Sequence, residues 1–395
     1  MKKLNVLYIS YNHKYGASRS FREMVSAIIK NHGIKAKVIT GSQGAINDFC
    51  NENKIENYVV EYMPFMMSLD RSSKKRRRIK TRLMPWYRIK LPFVNFFAIK
   101  QIEAKINMKE IDVIHTNINR VNIGSKLSKK YKIPHILHLR EFGDLDYSCF
   151  FLDKKYIKKF NKNPYNRFVA ISEIVQKEWL SKGLDPARTY VIYNGVNTDN
   201  IEYNEEERED DLIKIVFAGS LCKTKGQNQF IEALGKLDPD VQKKISVDIY
   251  GDATKEYVNS SLKPIITKNK LEKIINLKGY SNDLYKLYKD YDIGINCSKS
   301  EGFGRVTAEY MAAGLCTIAS DTGANPELVS DRVTGLIYKY GDTKDLAEKL
   351  LEVINNKELL NNIKKEARKK AISDFTIKRN AKQIYELYLD MINNK

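Results

Sequence analysis

The chain has 395 residues, 43% of them hydrophobic and 29% charged, with 20 Gly and 9 Pro. That length predicts two to three domains, since single cores rarely grow beyond about 250–300 residues, and the composition excludes a disordered chain, a collagen-like chain and a disulfide miniprotein. The net charge of +20 falls in one half: residues 1–200 carry 37 Lys/Arg against 17 Asp/Glu, whereas residues 201–395 carry 31 of each. So basic a half implies an anionic partner, which could be nucleic acid, an anionic lipid surface or a phosphorylated substrate.

The opening MKKLNVLYIS reads as a first strand rather than a signal peptide, because its apolar run is short, broken by Asn, and lacks a small-residue cleavage site. No stretch approaches the roughly 20 apolar residues of a membrane span. Strands are expected at 4–10, 35–40, 112–116, 135–139, 168–171 and 190–193 in the first half. In the second they are expected at 213–219, 245–251, 274–277, 292–296, 316–320 and 335–338. Helix-period segments such as 18–30, 225–237 and 305–313 separate them. This alternation predicts parallel sheets with helices on both faces, one doubly wound sheet per half. Ligands of such sheets bind beyond the carboxyl ends of the strands, so two of them facing each other would frame a cleft.

Residues 71–100 hold 11 basic residues and no acidic one, interleaved with Trp86, Tyr87, Phe93, Phe96 and Phe97. That mixture suits a membrane interface, and equally a solvated basic loop feeding a core helix. Pro85 and Pro92 predict short helical pieces there. Nucleic acid is not expected as the partner, since no helix-turn-helix, zinc-finger or RNP pattern is present. The stretch 197–211, NTDNIEYNEEEREDD, reads as an acidic linker. Domains are therefore expected at 1–196 and 212–375, followed by a terminal helix at 376–395. The five cysteines stand far apart with no C-x-x-C pair, which argues against disulfides and zinc and for a reducing cytoplasm, with peripheral placement at the inner membrane face as an extension of the basic segment.

The stretch SEGFGRVTAEYMAAG (300–314) carries the most chemistry. Gly302 and Gly304 permit a tight turn, and a helix starting near Arg305 would aim free N–H groups and its positive dipole end at an anion such as a diphosphate. Glu301 and Glu309 flank this turn, where both could face a ligand bearing hydroxyls. The alternative is an ordinary strand–turn–helix with solvated glutamates. The histidines, His13, His32, His115, His135 and His138, show no metal-ligand spacing.

E-G-F-G with a second Glu at E-x7-E spacing, followed by A-A-G, resembles the signature of the retaining glycosyltransferases of group 1, which have the GT-B fold. IVFAGSLCKTKGQNQFIEAL (215–234), IYGDA (249–253), LKGY (277–280) and VIYNGVNTDNI (191–201) resemble the family's segments in the family's order. YNHKYGASRSFREMVSAIIKNHG in the first half resembles its opening glycine loop and helix. The resemblance implies two Rossmann-like domains facing a cleft, the first for the acceptor and the second for a nucleotide-diphosphate sugar, with a last helix that crosses back to the first domain. It implies no cofactor and no divalent metal. It places Glu309 on the ribose, Glu301 beside the donor sugar, and Gly302, Phe303, Gly304 and the Arg305 backbone on sugar and diphosphate. Lys225 would stabilise the leaving diphosphate. Gly16, Ser220 and Tyr280 complete the donor-binding set.

Three departures from the family stand out. Ser220 occupies the place of an arginine, with Arg305 and Arg19 as candidate replacements. Gly16 is alone where glycines are usually paired. Arg140 stands where a histidine normally touches the donor sugar, so it would hold a phosphate or carboxylate, or else be buried in a pair with Glu141 or Asp144. The leading expectation is a retaining hexosyltransferase acting on a lipid-linked or surface-polysaccharide precursor. The alternatives are a sugar-nucleotide epimerase or phosphorylase on the same fold, and a non-catalytic binder of anionic polymers.

Overall fold

The computed structural model describes residues 3–12, 16–68, 74–143, 149–203 and 212–394. The expectations placed on His13, on Asp144 and on the acidic stretch from 204 to 211 lie outside them, as do the side chains of Arg76–Arg78. The chain divides into two compact units, Met1–Gly195 with Ile377–Lys395, and Val196–Thr376.

The first unit contains strands β1 (Asn5–Ser10), β2 (Lys35–Thr40), β3 (Glu56–Val59), β4 (Met66–Ser68), β5 (Val113–Thr116), β6 (His135–Leu139), β7 (Cys149–Phe151), β8 (Asn166–Ala170) and β9 (Thr189–Val191). Seven of them form one parallel sheet in the order β3-β2-β1-β5-β6-β8-β9, and β4 pairs with β7 in an antiparallel ribbon. The strands read as nearly continuous apolar runs because helices cover both faces. In β6, for example, all five residues are buried. Helix α1 (Ala17–His32) buries Phe21, Met24, Val25 and Ile28 at helical spacing and stops at Gly33, whose N–H reaches Ile29 O in the left-handed conformation that ends many helices. The last helix, Ile377–Asn393, joins this core through Ile384, Leu387, Tyr388 and Met391.

Helix α2 (Ala45–Glu52) precedes β3, and α3 (Lys74–Lys105) runs unbroken through Pro85 and Pro92. This corrects the expectation of short pieces. Both prolines are exposed, so their rings lie on the solvent side of the helix. On the other side Leu91, Ala98 and Ile102 are buried, and Asn95 clamps the backbone of Met63, accepting from its N–H at 2.8 Å and donating to its carbonyl at 3.0 Å. That packing offsets the lost helical hydrogen bonds.

The second unit contains β10 (Ile213–Ala218), β11 (Ile245–Tyr250), β12 (Ile275–Gly279), β13 (Ile293–Asn296), β14 (Cys316–Ser320) and β15 (Leu336–Tyr338), all parallel in the order β12-β11-β10-β13-β14-β15. The twelve strands expected from the sequence all form, each end within two residues. In both sheets the strand order reverses once, between β1 and β5 and between β10 and β13. Loops leaving such a reversal open a crevice at the carboxyl edge of the sheet.

Candidate active site

In the second unit the crevice is flanked by the loop after β10, which carries Ser220 and Lys225, and the loop after β13, which carries Glu301, Gly302 and Gly304. The two loops are tied backbone to backbone, Lys299 N–H donating to Thr224 O at 2.8 Å. Gly226 makes this approach possible. It has φ +79°, and a Cβ there would sit 2.1 Å from the Cys297 carbonyl oxygen. Gly226→Ala is expected to cost about 2–5 kcal/mol, from left-handed strain plus overpacking. Gly341→Ala, at φ +87° with nothing within 4 Å, should cost about 1–2 kcal/mol. Denaturant titration of the two variants reads the difference, and equal losses would show that the loops do not need this contact.

Lys225 Nζ and Glu301 Oε1 form an ion pair across the two loops, and Ser298 Oγ donates to the same carboxylate oxygen at 2.7 Å. The loop holding Glu301 is itself fixed. Ser320 Oγ and Thr322 Oγ1 donate to the Ser298 carbonyl at 2.8 and 2.6 Å, and Ala324 N–H donates to Glu301 O at 2.9 Å. Behind it, Asn296 Nδ2 donates to Thr307 Oγ1 at 2.8 Å, and Thr307 donates to Asn325 Oδ1 at 3.0 Å. These buried amide and hydroxyl groups are paired with one another, as groups shielded from water must be.

The helix Arg305–Ala312 starts at Gly304, in the left-handed region at φ +82° and ψ +52°, with no side chain capping it. Its first N–H groups are the expected anion-binding feature. Arg305 and Glu309, four apart, share one face, and Arg305 Nε donates to Glu309 Oε1 at 2.8 Å. Tyr285 OH donates to the same oxygen at 2.9 Å and accepts from Arg305 Nη2 at 2.7 Å, while Tyr288 OH lies 3.5 Å from Oε2. Glu309 is 5% exposed. It is held beside Arg305 inside a tyrosine cluster, whereas Glu301 reaches across to Lys225, so the two glutamates have different surroundings. Phe303 is also buried, its ring edge-on to Phe375 at 5.9 Å, so only its backbone remains for a ligand. Nor does Lys225 open a helix as expected. It closes a 3-10 turn, Lys223–Lys225, and the α-helix begins at Gln227.

Ser220 is half-buried and accepts at its carbonyl from Gln227 Nε2 at 3.0 Å. Tyr280 follows the edge strand β12 and is 59% exposed, two strands from the reversal. Of the sequence candidates, then, Lys225 and Glu301 meet directly, and Arg305 and Glu309 form a second pair on the same loop-and-helix. Ser298, Tyr285, Tyr288, Asn296, Thr307 and Asn325 were not singled out by the sequence. Asn296 and Ser298 lie in the stretch YDIGINCSKSEGFG (291–304) and Thr307 in the helix that follows it, whereas the order of the fold brings in Tyr285, Tyr288 and Asn325.

The remaining two candidates lie in the first unit. Gly16 opens α1, exposed, at φ +20°. Arg140 follows β6 and is buried. Its Nε donates to Asn117 Oδ1 at 2.7 Å and to Asn117 O at 3.1 Å, and its Nη1 donates to Asn194 Oδ1 at 2.7 Å. Glu141 turns instead to Arg120 in a two-pronged pair, at 2.5 and 2.8 Å, so it is not the partner that the alternative of a buried pair offered for Arg140. A guanidinium prong buried among amides is easier to satisfy than a third partner in a pair already complete. Among the described residues no group of three or more His, Cys, Asp or Glu side chains could hold a metal ion, and no helix is long and apolar enough to cross a membrane.

Two Rossmann-type sheets in one chain, with a lysine–glutamate pair and a glycine turn on the loops of a strand-order reversal and an arginine–glutamate pair on the helix that follows, fit a GT-B-type glycosyltransferase. Solved structures agree on the fold: a glycosyltransferase of Rickettsia africae superposes with a TM-score of 0.79 at 20% identity, each chain covered in full. Anabaena HepE in complex with UDP and glucose gives 0.76 at 20% identity, over 98% of this chain and 100% of that one. Residues 199–370 match the model "Glycosyl transferases group 1" and residues 16–200 the model "Glycosyltransferase Family 4". An uncharacterised glycosyltransferase of Methanocaldococcus jannaschii is 30% identical over 64% of this chain and 68% of its own length. The chain belongs to the group 1 glycosyltransferases. A further relative is the UDP-Gal:alpha-D-GlcNAc-diphosphoundecaprenol alpha-1,3-galactosyltransferase of Escherichia coli, 25% identical over 76% of this chain and 82% of that protein.

Proposed function

We propose that this chain transfers a hexosyl group, with retention, from a nucleotide-diphosphate sugar to a hydroxyl of a lipid-linked or surface-polysaccharide precursor. In that reaction the bond from the anomeric carbon to the phosphate oxygen breaks. The acceptor oxygen bonds to the same carbon on the same face, and the acceptor proton leaves with the diphosphate. The observation that carries the reading is the pair of anchored cations at the β10/β13 reversal: Lys225 held by Glu301, and Arg305 held by Glu309 and Tyr285. Preorganised cations beside a departing diphosphate offset charge that grows in the transition state and cost no reorganisation. They supply the role without a metal or cofactor, and Arg305 provides the second positive charge that Ser220 lacks. The acceptor class is supported by the E. coli relative, whose named substrate is a diphosphoundecaprenol-linked sugar.

The test is thermal stabilisation by a panel of nucleotide-diphosphate sugars, read for the natural chain and for Glu309→Gln, each against its own ligand-free baseline. A cognate donor at about 100 times its dissociation constant should add about 2.7 kcal/mol, and the variant should need more donor for the same gain. Incubation with that donor and an undecaprenyl-diphosphate sugar, with the anomeric configuration of the product read by NMR, then tests transfer and retention. No stabilisation by any donor would overturn the reading.

A further inference from the structure

Helix α3 carries a second apolar face that none of the described residues covers. At about 100° per residue, Leu91, Asn95, Ala98 and Ile102 define the side packed on the first unit. Trp86, Ile89, Phe93, Phe96 and Phe97 fall within an arc of about 100° on the opposite side, and each is 55–65% exposed. Five large apolar side chains in three turns form a contiguous patch, and isolated exposed residues elsewhere are no parallel to it. Cations frame the patch: Arg82 and Lys100 lie on its midline before and after it, and Lys90 lies at its edge. The Lys90 ammonium sits 5.0 Å from the Trp86 ring centre, and the Lys100 ammonium sits 5.8 Å from that of Phe96. The helix is held rigidly from behind by Asn95, and Arg88 Nη2 reaches the β7 carbonyl of Phe151 at 3.5 Å.

We infer that this face docks the enzyme on an anionic membrane surface, with the five side chains seated at the boundary of headgroups and acyl chains and the helix lying in the membrane plane. The charge chooses the occupant. Residues 71–100 hold 11 cations and no anion, which attracts anionic lipid and repels a second copy of a chain whose net charge is +20. The helix is not apolar enough to span, so it lies on the surface, and aromatic rings with flanking lysines are the residue types that settle at that depth. This goes beyond the donor site and does not depend on it: binding of a nucleotide sugar is read without lipid, so either can fail alone.

The full chain is sedimented with vesicles of phosphatidylcholine alone and of equimolar phosphatidylcholine and phosphatidylglycerol. Binding is expected only to the second, weakened by salt, with a blue shift of Trp86 emission that Trp86→Phe removes. Trp179, the other tryptophan, is fully buried. A triple variant, Trp86→Ser, Phe93→Ser and Phe97→Ser, should lose about tenfold or more in vesicle affinity, and Arg82→Gln with Lys90→Gln and Lys100→Gln should lose the preference for anionic lipid. Donor-induced thermal stabilisation should be unchanged in both, which also shows that they fold. Equal binding by the serine variant, or salt-insensitive binding to both vesicles, overturns the inference. So does a concentration-dependent dimer of the natural chain that the serine variant abolishes.

Discussion

Lys225→Met is expected to lower turnover by about 10²–10³-fold while changing the affinity for the nucleotide sugar by less than about tenfold. On the proposed reading the ammonium meets charge that appears as the diphosphate leaves, so its loss falls on kcat rather than on KM. The geometry sharpens the expectation. Lys225 stands on the β10 loop and Glu301 on the β13 loop, and Ser298 holds the carboxylate that holds the lysine. Glu301→Gln keeps an oxygen that can accept from both partners and should cost less than the lysine does. Steady-state kinetics on the two variants and the double variant decide the matter. If Lys225 acts through its pairing with Glu301, the double variant loses no more than the lysine variant alone. A Lys225→Met enzyme that keeps more than about a third of the turnover would make the pair a structural tie between loops, worth the modest amount of any half-exposed ion pair.

That geometry was only partly legible in the sequence, and the reason is physical. Strands buried on both faces announce themselves as apolar β-branched runs, which is why β1, β10 and β14 could be placed closely. β3 is a four-residue edge strand with polar and half-buried positions, and β4 and β7 are three-residue strands joined over more than eighty residues; neither leaves a local pattern. Proline misled for α3 because its cost is local, whereas the packing of Leu91, Asn95, Ala98 and Ile102 that offsets it is tertiary. In the site, Glu301, Gly304 and Glu309 were visible as a motif, but motif spacing does not say which way a carboxylate turns. Glu309 points to Arg305 and Tyr285, and Tyr285 lies 24 residues away in sequence. Arg140 was visible as an oddity, and its partners Asn117 and Asn194 come from two other strands' ends, which only the sheet order brings together.

The first unit is expected to lose stability as the pH falls from about 6.5 to about 4, and the second unit is not. All five histidines lie in the first unit. His135 is buried, with Nδ1 2.7 Å from Asn166 Oδ1 and Nε2 2.8 Å from the Thr116 hydroxyl. The neutral ring satisfies both, donating to the amide oxygen and accepting from the hydroxyl. Burial lowers its pKa from 6.5 to about 4. His115 and His138 are stacked at 5.3 Å with Nε2 and Nδ1 3.1 Å apart, a contact that takes one hydrogen, so charging both rings would set two donors against each other. Burial first and the Arg140 guanidinium second hold both well below the ordinary value. Tyr8 and Tyr388, which pack on the same cluster, stay neutral throughout, since burial raises both. Below about pH 6.5 the unfolded chain binds more protons than the folded one, so the stability present above that pH drains away as the pH falls, with about 3 kcal/mol at stake for His135 alone. The exposed carboxylates held low, such as Asp240 and Asp342, titrate beneath this window. Hydrogen exchange resolved by unit, at about pH 7 and about pH 4.5, should show loosening confined to the sheet around β5, β6 and β8. His135→Gln should flatten part of the pH dependence, at some cost in stability at neutral pH. A first unit equally protected at both values, or a loss centred on the second, would mean that these rings accept protons inside the fold.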